Sequence, residues 1–176
     1  MEEDFHARSA KFIIERFDKY NDSVNNKGAL YLSVNTFILG GICVGYCSFY
    51  KDCHPDGQLF GWLLAAVALL LACCLASILY TILAIDPYLK DNLVNDDKPS
   101  LLFFGGISKL TCNEFSGRFL KRTVEEAKED SIRQAHSLAF GLNKKYRNLK
   151  IASRFLIAEY TLLIATLLLT YFNSKP

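Results

Sequence analysis

Residues Gly57–Ile85 read GQLFGWLLAAVALLLACCLASILYTILAI, a run with no charged side chain between Asp56 and Asp86. The hydrocarbon core of a bilayer is about 30 Å thick and takes about 20 helical residues to cross, so this run is long enough to span it. Hydrocarbon offers no partner to backbone N–H and C=O groups, so only a helix or a closed barrel crosses, and the run does not alternate with period two. Two further runs have the same character. Gly28–Tyr50 is uncharged between Lys27 and Lys51, and Phe155–Phe172 is apolar except for Glu159. Together they predict an all-α membrane protein with three transmembrane helices at about 31–50, 61–85 and 155–172.

The basic residues predict an orientation. Arg8, Lys11, Arg16, Lys19 and Lys27 precede the first span, and thirteen Lys and Arg residues lie between the second and third, from Lys90 to Arg154. Only Lys51 lies between the first two spans and only Lys175 follows the third. Because Lys and Arg are retained on the cytoplasmic side, segments 1–30 and 86–154 are expected in the cytosol, with the Lys51–Gln58 loop and the C-terminal tail outside. At 176 residues the chain has room for a single domain, 1–176, and its net charge of +2 gives no argument for nucleic acid. The first apolar run is too long for the core of a signal peptide and lacks a small-residue cleavage site, so it is expected to stay as an anchor.

The cytoplasmic segments read as helices continuing the spans, which makes a helical stalk. Ile13, Phe17, Tyr20 and Val24 form one helical seam, with a break expected near Asn21–Asn26 where helix propensity falls. Leu101–Ile107 is apolar and holds Gly105 and Gly106, which let backbone come close to another group. Thr111 and Glu114 have the spacing of a capping box that opens a short helix with Phe115 and Phe119 on one face. Beyond Thr123 no proline interrupts the chain before Pro176, and Ile132, Ala135, Leu138, Ala139, Leu142, Tyr146 and Leu149 keep helical spacing up to the third span.

No catalytic constellation stands out. His6, His54 and His136 are scattered, and no nucleophile elbow, phosphate-cradling glycine loop or paired carboxylate appears, so the chain reads as a non-enzyme needing no cofactor. The six cysteines read as small packing residues; Cys53-His54 lacks the further ligands that a metal site needs. Glu159 lies about one turn from Arg154, so snorkelling to the interface is the plain expectation, against a partner inside the bundle such as Asn35, or a water-filled pore. Gly41 and Gly45 make a small-xxx-small helix-packing pattern. Arg133, Lys144, Lys145, Arg147 and Lys150, with Lys27 at the first boundary, are candidates for holding an anion, and Phe104 and Tyr146 for an aromatic face against a base. Charge alone favours anionic lipid headgroups for this cluster.

Three stretches carry a family likeness: Asn25–Ala29 entering the first span, Phe104–Leu110 after the second, and Asp130–Gln134 through Leu138 to Lys145-Tyr-Arg147 before the third. Together with the order of the spans they resemble the transmembrane effectors of Pycsar, a bacterial antiphage system that signals with a cyclic pyrimidine mononucleotide. The resemblance implies a multi-pass protein of the bacterial plasma membrane paired with a pyrimidine cyclase. Cyclic CMP or cyclic UMP would be the activating ligand, the active form a homo-oligomer, and the output impaired membrane integrity and abortive infection. It raises the nucleotide reading of Lys27, Phe104, Arg133, Lys144, Lys145, Tyr146 and Arg147 above the lipid one. Two rival readings are a ligand-independent, holin-like membrane disruptor and a membrane-anchored scaffold.

Overall fold

The computed structural model describes residues 2–52, 58–87 and 100–173, and among them every regular element is helical. The helices are α1 (Glu2–Asp52), α2 (Gln58–Ile85), α3 (Phe104–Ile107), α4 (Cys112–Leu120) and α5 (Val124–Asn173). Three of them, α1, α2 and α5, are long and apolar enough to cross a membrane, so the chain is a multi-pass membrane protein. At 1.5 Å per residue the 50 residues of α5 give a helix of about 75 Å, well beyond bilayer thickness. Two compact units form, Met1–Ser23 with Pro87–Lys144, and Val24–Asp86 with Lys145–Pro176.

The second unit is a three-helix bundle. Its buried positions are Val24, Gly28, Asn35 and Ile38 on α1, Leu70, Cys74, Ser77, Thr81 and Ala84 on α2, and Lys145, Asn148, Leu149, Ala152, Glu159 and Thr166 on α5. On each helix the spacing is built from threes, fours and sevens, a repeat of 3.5 residues that keeps one stripe facing its neighbours in a left-handed supercoil. The stripe is rich in small and polar side chains. The bulky apolar groups point outward, with Phe37 83 % and Trp62 70 % exposed. Lipid tails solvate leucine as well as a protein core does, so helices in a bilayer associate through small residues and hydrogen bonds instead.

Hydrogen bonds join the three helices at one level. Asn35 Nδ2 donates to the Tyr31 carbonyl at 2.7 Å and to Ser77 Oγ at 3.1 Å, and Ser77 Oγ donates to the Ala152 carbonyl at 3.4 Å. Gly28 is buried where α1 meets α2, and a Cβ there would collide with the Ile85 side chain and lie 3.6 Å from Thr81 Cγ2. At the end of α2 the helix carbonyls take partners from α5: Lys145 Nζ donates to Ile85 O at 3.4 Å and Asn148 Nδ2 to Leu83 O at 3.0 Å. These are terminal carbonyls that no intrahelical N–H reaches.

The first unit contains the start of α1, the helices α3 and α4, and the start of α5. Gly106 is buried against the Ser100 backbone, and a Cβ on Gly105 would lie 2.5 Å from Phe103 Cε1, so this glycine pair lets the turn before α3 close on itself. Thr111 and Glu114 form the expected capping box. A second box was equally legible: Thr123 N donates to Glu126 Oε2 at 3.0 Å and Glu126 N to Thr123 Oγ1 at 3.2 Å, opening α5.

Three expectations are corrected. α1 runs unbroken through Asn21–Asn26: an asparagine costs a helix only about 0.7 kcal/mol at most, and Val24 is packed there. The inner stripe of α1 passes through Ala10, Ile14, Phe17 and Val24 rather than through Ile13 and Tyr20, which are 40 % and 39 % exposed. On α5, Ile132 and Tyr146 also point outward, and Lys145, Asn148 and Ala152 take the inner positions before Glu159.

The contrast between glycines gives a test. Among the described residues no atom lies within 4 Å of a Cβ built on Gly41 or Gly45, whereas a Cβ on Gly28 would collide with the Ile85 side chain. Gly28→Leu should therefore destabilise the bundle by about 1–3 kcal/mol, and Gly41→Leu should leave a single chain close to neutral, as read by thermal unfolding in detergent.

Candidate functional site

The seven residues singled out as nucleotide candidates fall into two groups. Phe104, Arg133 and Lys144 belong to the first unit, and Lys27, Lys145, Tyr146 and Arg147 to the second. Phe104 opens α3 with its ring 64 % exposed and its centroid 4.7 Å from that of Phe103. An exposed ring beside a second aromatic is a surface on which a planar base stacks. Arg133 Nη2 pairs with Glu129 Oε1 at 2.9 Å, one turn back on α5. Lys144 is exposed, and so are Lys27, Tyr146 and Arg147.

Lys145 differs from these. Its side chain is buried and its ammonium sits on the Ile85 carbonyl. Burial pushes this amine below the usual lysine range, and the carboxylate of Asp86 pushes back. A cation beside the carbonyl end of α2 also meets the negative end of the helix dipole. Successive helical residues point about 100° apart. The run Lys144–Arg147 is thus divided by α5 itself, with Lys145 turned inward and the others outward.

A polar centre in the first unit escaped the sequence reading. Arg122 Nη2 donates to Asp130 Oδ2 at 2.6 Å and to the Glu126 carbonyl at 3.0 Å, while the Leu101 amide donates to the same Asp130 oxygen at 3.1 Å. The two side chains keep only 10 % and 14 % of their exposure. Asp130 therefore ties the segment before α3 to α5, and Ser100 Oγ, accepting from the amides of Leu102 and Phe103, shapes the turn that presents Phe104. Eight residues separate Arg122 from Asp130 across a helix start, so no simple spacing rule marks the pair.

Glu159 is the other outlier. It does not snorkel: its side chain is completely buried, and neither carboxylate oxygen has a hydrogen-bond partner among the described residues. The neighbouring polar group is the Cys74 thiol of α2. Asn35, which sequence offered as a partner, sends its Nδ2 to Tyr31 and Ser77 and leaves its Oδ1 without a partner too. Cys74 is buried as expected of a packing residue, but Cys43 and Cys112 are exposed, and Cys53-His54 lies outside the described residues. Among the described residues no group of three His, Cys, Asp or Glu side chains is placed to hold a metal ion.

Comparison with known families places this arrangement. Residues 9–172 match the model of the Pycsar effector protein domain, so the match takes in all three spanning helices and the segments between them. No curated protein and no solved structure matches the chain. With nearly its whole length inside one family model, and with the membrane-spanning helices that such an effector requires, the chain belongs to the Pycsar effector family and has a role in Pycsar antiphage defence.

Proposed function

We propose that this protein is the membrane effector that a cyclic pyrimidine mononucleotide, cyclic CMP or cyclic UMP, switches on, and that its output is loss of membrane integrity and abortive infection. The family match over residues 9–172 carries the proposal, because the family implies a paired cyclase and cyclic pyrimidine signalling. The protein works by binding and rearrangement rather than by chemistry, and residues 1–176 act as one functional domain in the bacterial inner membrane. The spans are residues 31–50, 61–85 and 155–172, with the N-terminus in the cytoplasm and the C-terminus outside; the distribution of Lys and Arg supports this orientation.

The ligand is held by the cationic and aromatic groups on the basic side of the spans. A cyclic mononucleotide carries one negative charge, so one or two cations from the exposed Lys27, Lys144 and Arg147 and the half-buried Arg133 suffice, and Phe104 or Tyr146 stacks on the pyrimidine. Lys145 shapes the site by holding the end of α2. Binding drives a change only if the ligand prefers one arrangement over another. The second arrangement is a homo-oligomer, because a bundle of three closely packed helices encloses no open bore. α5 runs from Val124 to Asn173 without a proline, so a displacement at one end is passed along its hydrogen-bond ladder.

Three outcomes test this reading. Calorimetry on the detergent-solubilised protein should detect binding of cyclic CMP or cyclic UMP. Phe104→Ala or Tyr146→Ala should weaken that binding by about 5- to 150-fold, the loss of about 1–3 kcal/mol of base stacking. Absence of heat with both nucleotides removes the ligand assignment, and equal affinity for cyclic AMP removes base recognition.

In sealed cells a membrane-impermeant thiol reagent should label Cys53 and spare Cys112, whose side chain is exposed. Labelling of Cys112 would reverse the orientation.

A Pro-Gly pair inserted after the exposed Lys150, beyond the ligand candidates and before the third span, should break α5 at a cost of about 3 kcal/mol or more. It should leave nucleotide affinity nearly intact while abolishing ligand-dependent dye loss from liposomes. Undiminished leakage would show that α5 is not the coupling element.

A further inference from the structure

We propose that the inner seam of the bundle is a closed cation path in which Glu159 is the residue that holds a permeating monovalent cation, with Asn35 Oδ1 beside the path and Ser77 and Thr166 along it. This deepens the membrane-output reading above and rests on it. Asn35 Oδ1 and both carboxylate oxygens of Glu159 are buried in this seam, and among the described residues the donor beside Glu159 is only the weak Cys74 thiol. Among the described residues no basic side chain of the seam lies against them. The nearest buried cation on α5 is Lys145, which is engaged at Ile85 and lies fourteen residues away, about 21 Å along the helix. Among the described residues, the buried face of α1 in this unit offers Val24, Gly28, Asn35 and Ile38, and that of α2 contributes Cys74 as its one titratable group.

Packing gives no reason for a carboxylate there. An apolar residue of similar size would fill the position without the cost of placing an ionisable group in hydrocarbon, and such groups in spanning helices face a partner or an ion pathway. The rest of the seam fits a path. Thr81, Ser77, Asn35, Cys74, Glu159 and Thr166 put a polar or small group at successive levels of the bundle, where lipid-facing positions of the same helices carry Phe37, Leu75, Ile157 and Ile164. Once the seam is wetted, the Glu159 carboxylate and Asn35 Oδ1 would replace hydration oxygens of a cation, and the carboxylate would repel anions. In the arrangement described here the path is shut, since Ile38, Leu70 and Glu159 are all buried. In the ligand-driven homo-oligomer the helices would part and the seams of several copies would line a common bore, which opens the path.

The test uses the full chain in planar bilayers, with a potassium chloride gradient and added cyclic CMP or cyclic UMP. The parent protein should reverse close to the potassium equilibrium potential. Glu159→Gln, which keeps shape and removes charge, should lower the potassium-to-chloride permeability ratio by about tenfold, and Glu159→Asp should keep it. Asn35→Asp should raise the ratio by adding a second carboxylate, a readout independent of whether the Gln variant folds. The lipid-facing control Ile164→Gln should leave the ratio unchanged. A non-selective parent current, a ratio unchanged in Glu159→Gln, or one not raised in Asn35→Asp overturns the cation path and leaves the membrane-output reading standing. A parent that passes no current with either nucleotide overturns both.

Discussion

Three helices in hydrocarbon gain nothing by hiding leucine from lipid, and this one constraint explains how the bundle is built. What holds them together has to be close approach of backbones and hydrogen bonding between side chains. Gly28 supplies the first where α1 meets Ile85 and Thr81 of α2. Asn35 and Ser77 supply the second, linking α1 to α2 and then to the Ala152 carbonyl of α5. Each such bond is worth only about 1 kcal/mol, so its value lies as much in fixing register as in strength. Sliding one helix by a residue would bring a bulky side chain such as Phe37 to the seam and strand the Asn35 amide.

Register in turn decides which cations are available. Once the bundle is aligned, Lys145 and Asn148 meet the last carbonyls of α2, and a residue that looks like part of a basic cluster becomes a helix cap. Its neighbours Lys144, Tyr146 and Arg147 are left exposed by the same rotation of α5. The first unit has its own fixed point in the Arg122–Asp130 pair, which also accepts the Leu101 amide and so sets the turn leading to the exposed Phe104 ring. Lys145 and the Arg122–Asp130 pair thus do structural work in their own units.

Glu159 is the exception, since it is buried with only the Cys74 thiol beside its carboxylate among the described residues. A residue that costs stability without a local return points to a state in which it has a partner, and a membrane effector has such a state when it acts. The polar seam joins the helices at rest, and in the cation path proposed above it would also supply a wettable surface when they part.

The sequence by itself determined the helical class, the three spans, the side that carries the basic residues and the start of α4, because charge-free length and capping chemistry are local properties. It also carried enough of the family pattern for the Pycsar likeness to be seen in short motifs around residues 25–29, 104–110 and 130–147. It could not determine which face of each helix turns inward. In lipid the apolar face does not mark the inside, so small and polar positions such as Asn35, Ser77 and Glu159 take it. Before the first span α1 carries apolar residues on more than one face, so Ile13 and Tyr20 fit the same spacing as Phe17 and Val24 yet stay exposed while Ala10 is buried. The capping role of Lys145, the burial of Glu159 and the Arg122–Asp130 pair were decided by tertiary structure alone, because each depends on a neighbour far away in the chain or across a turn that spacing does not fix.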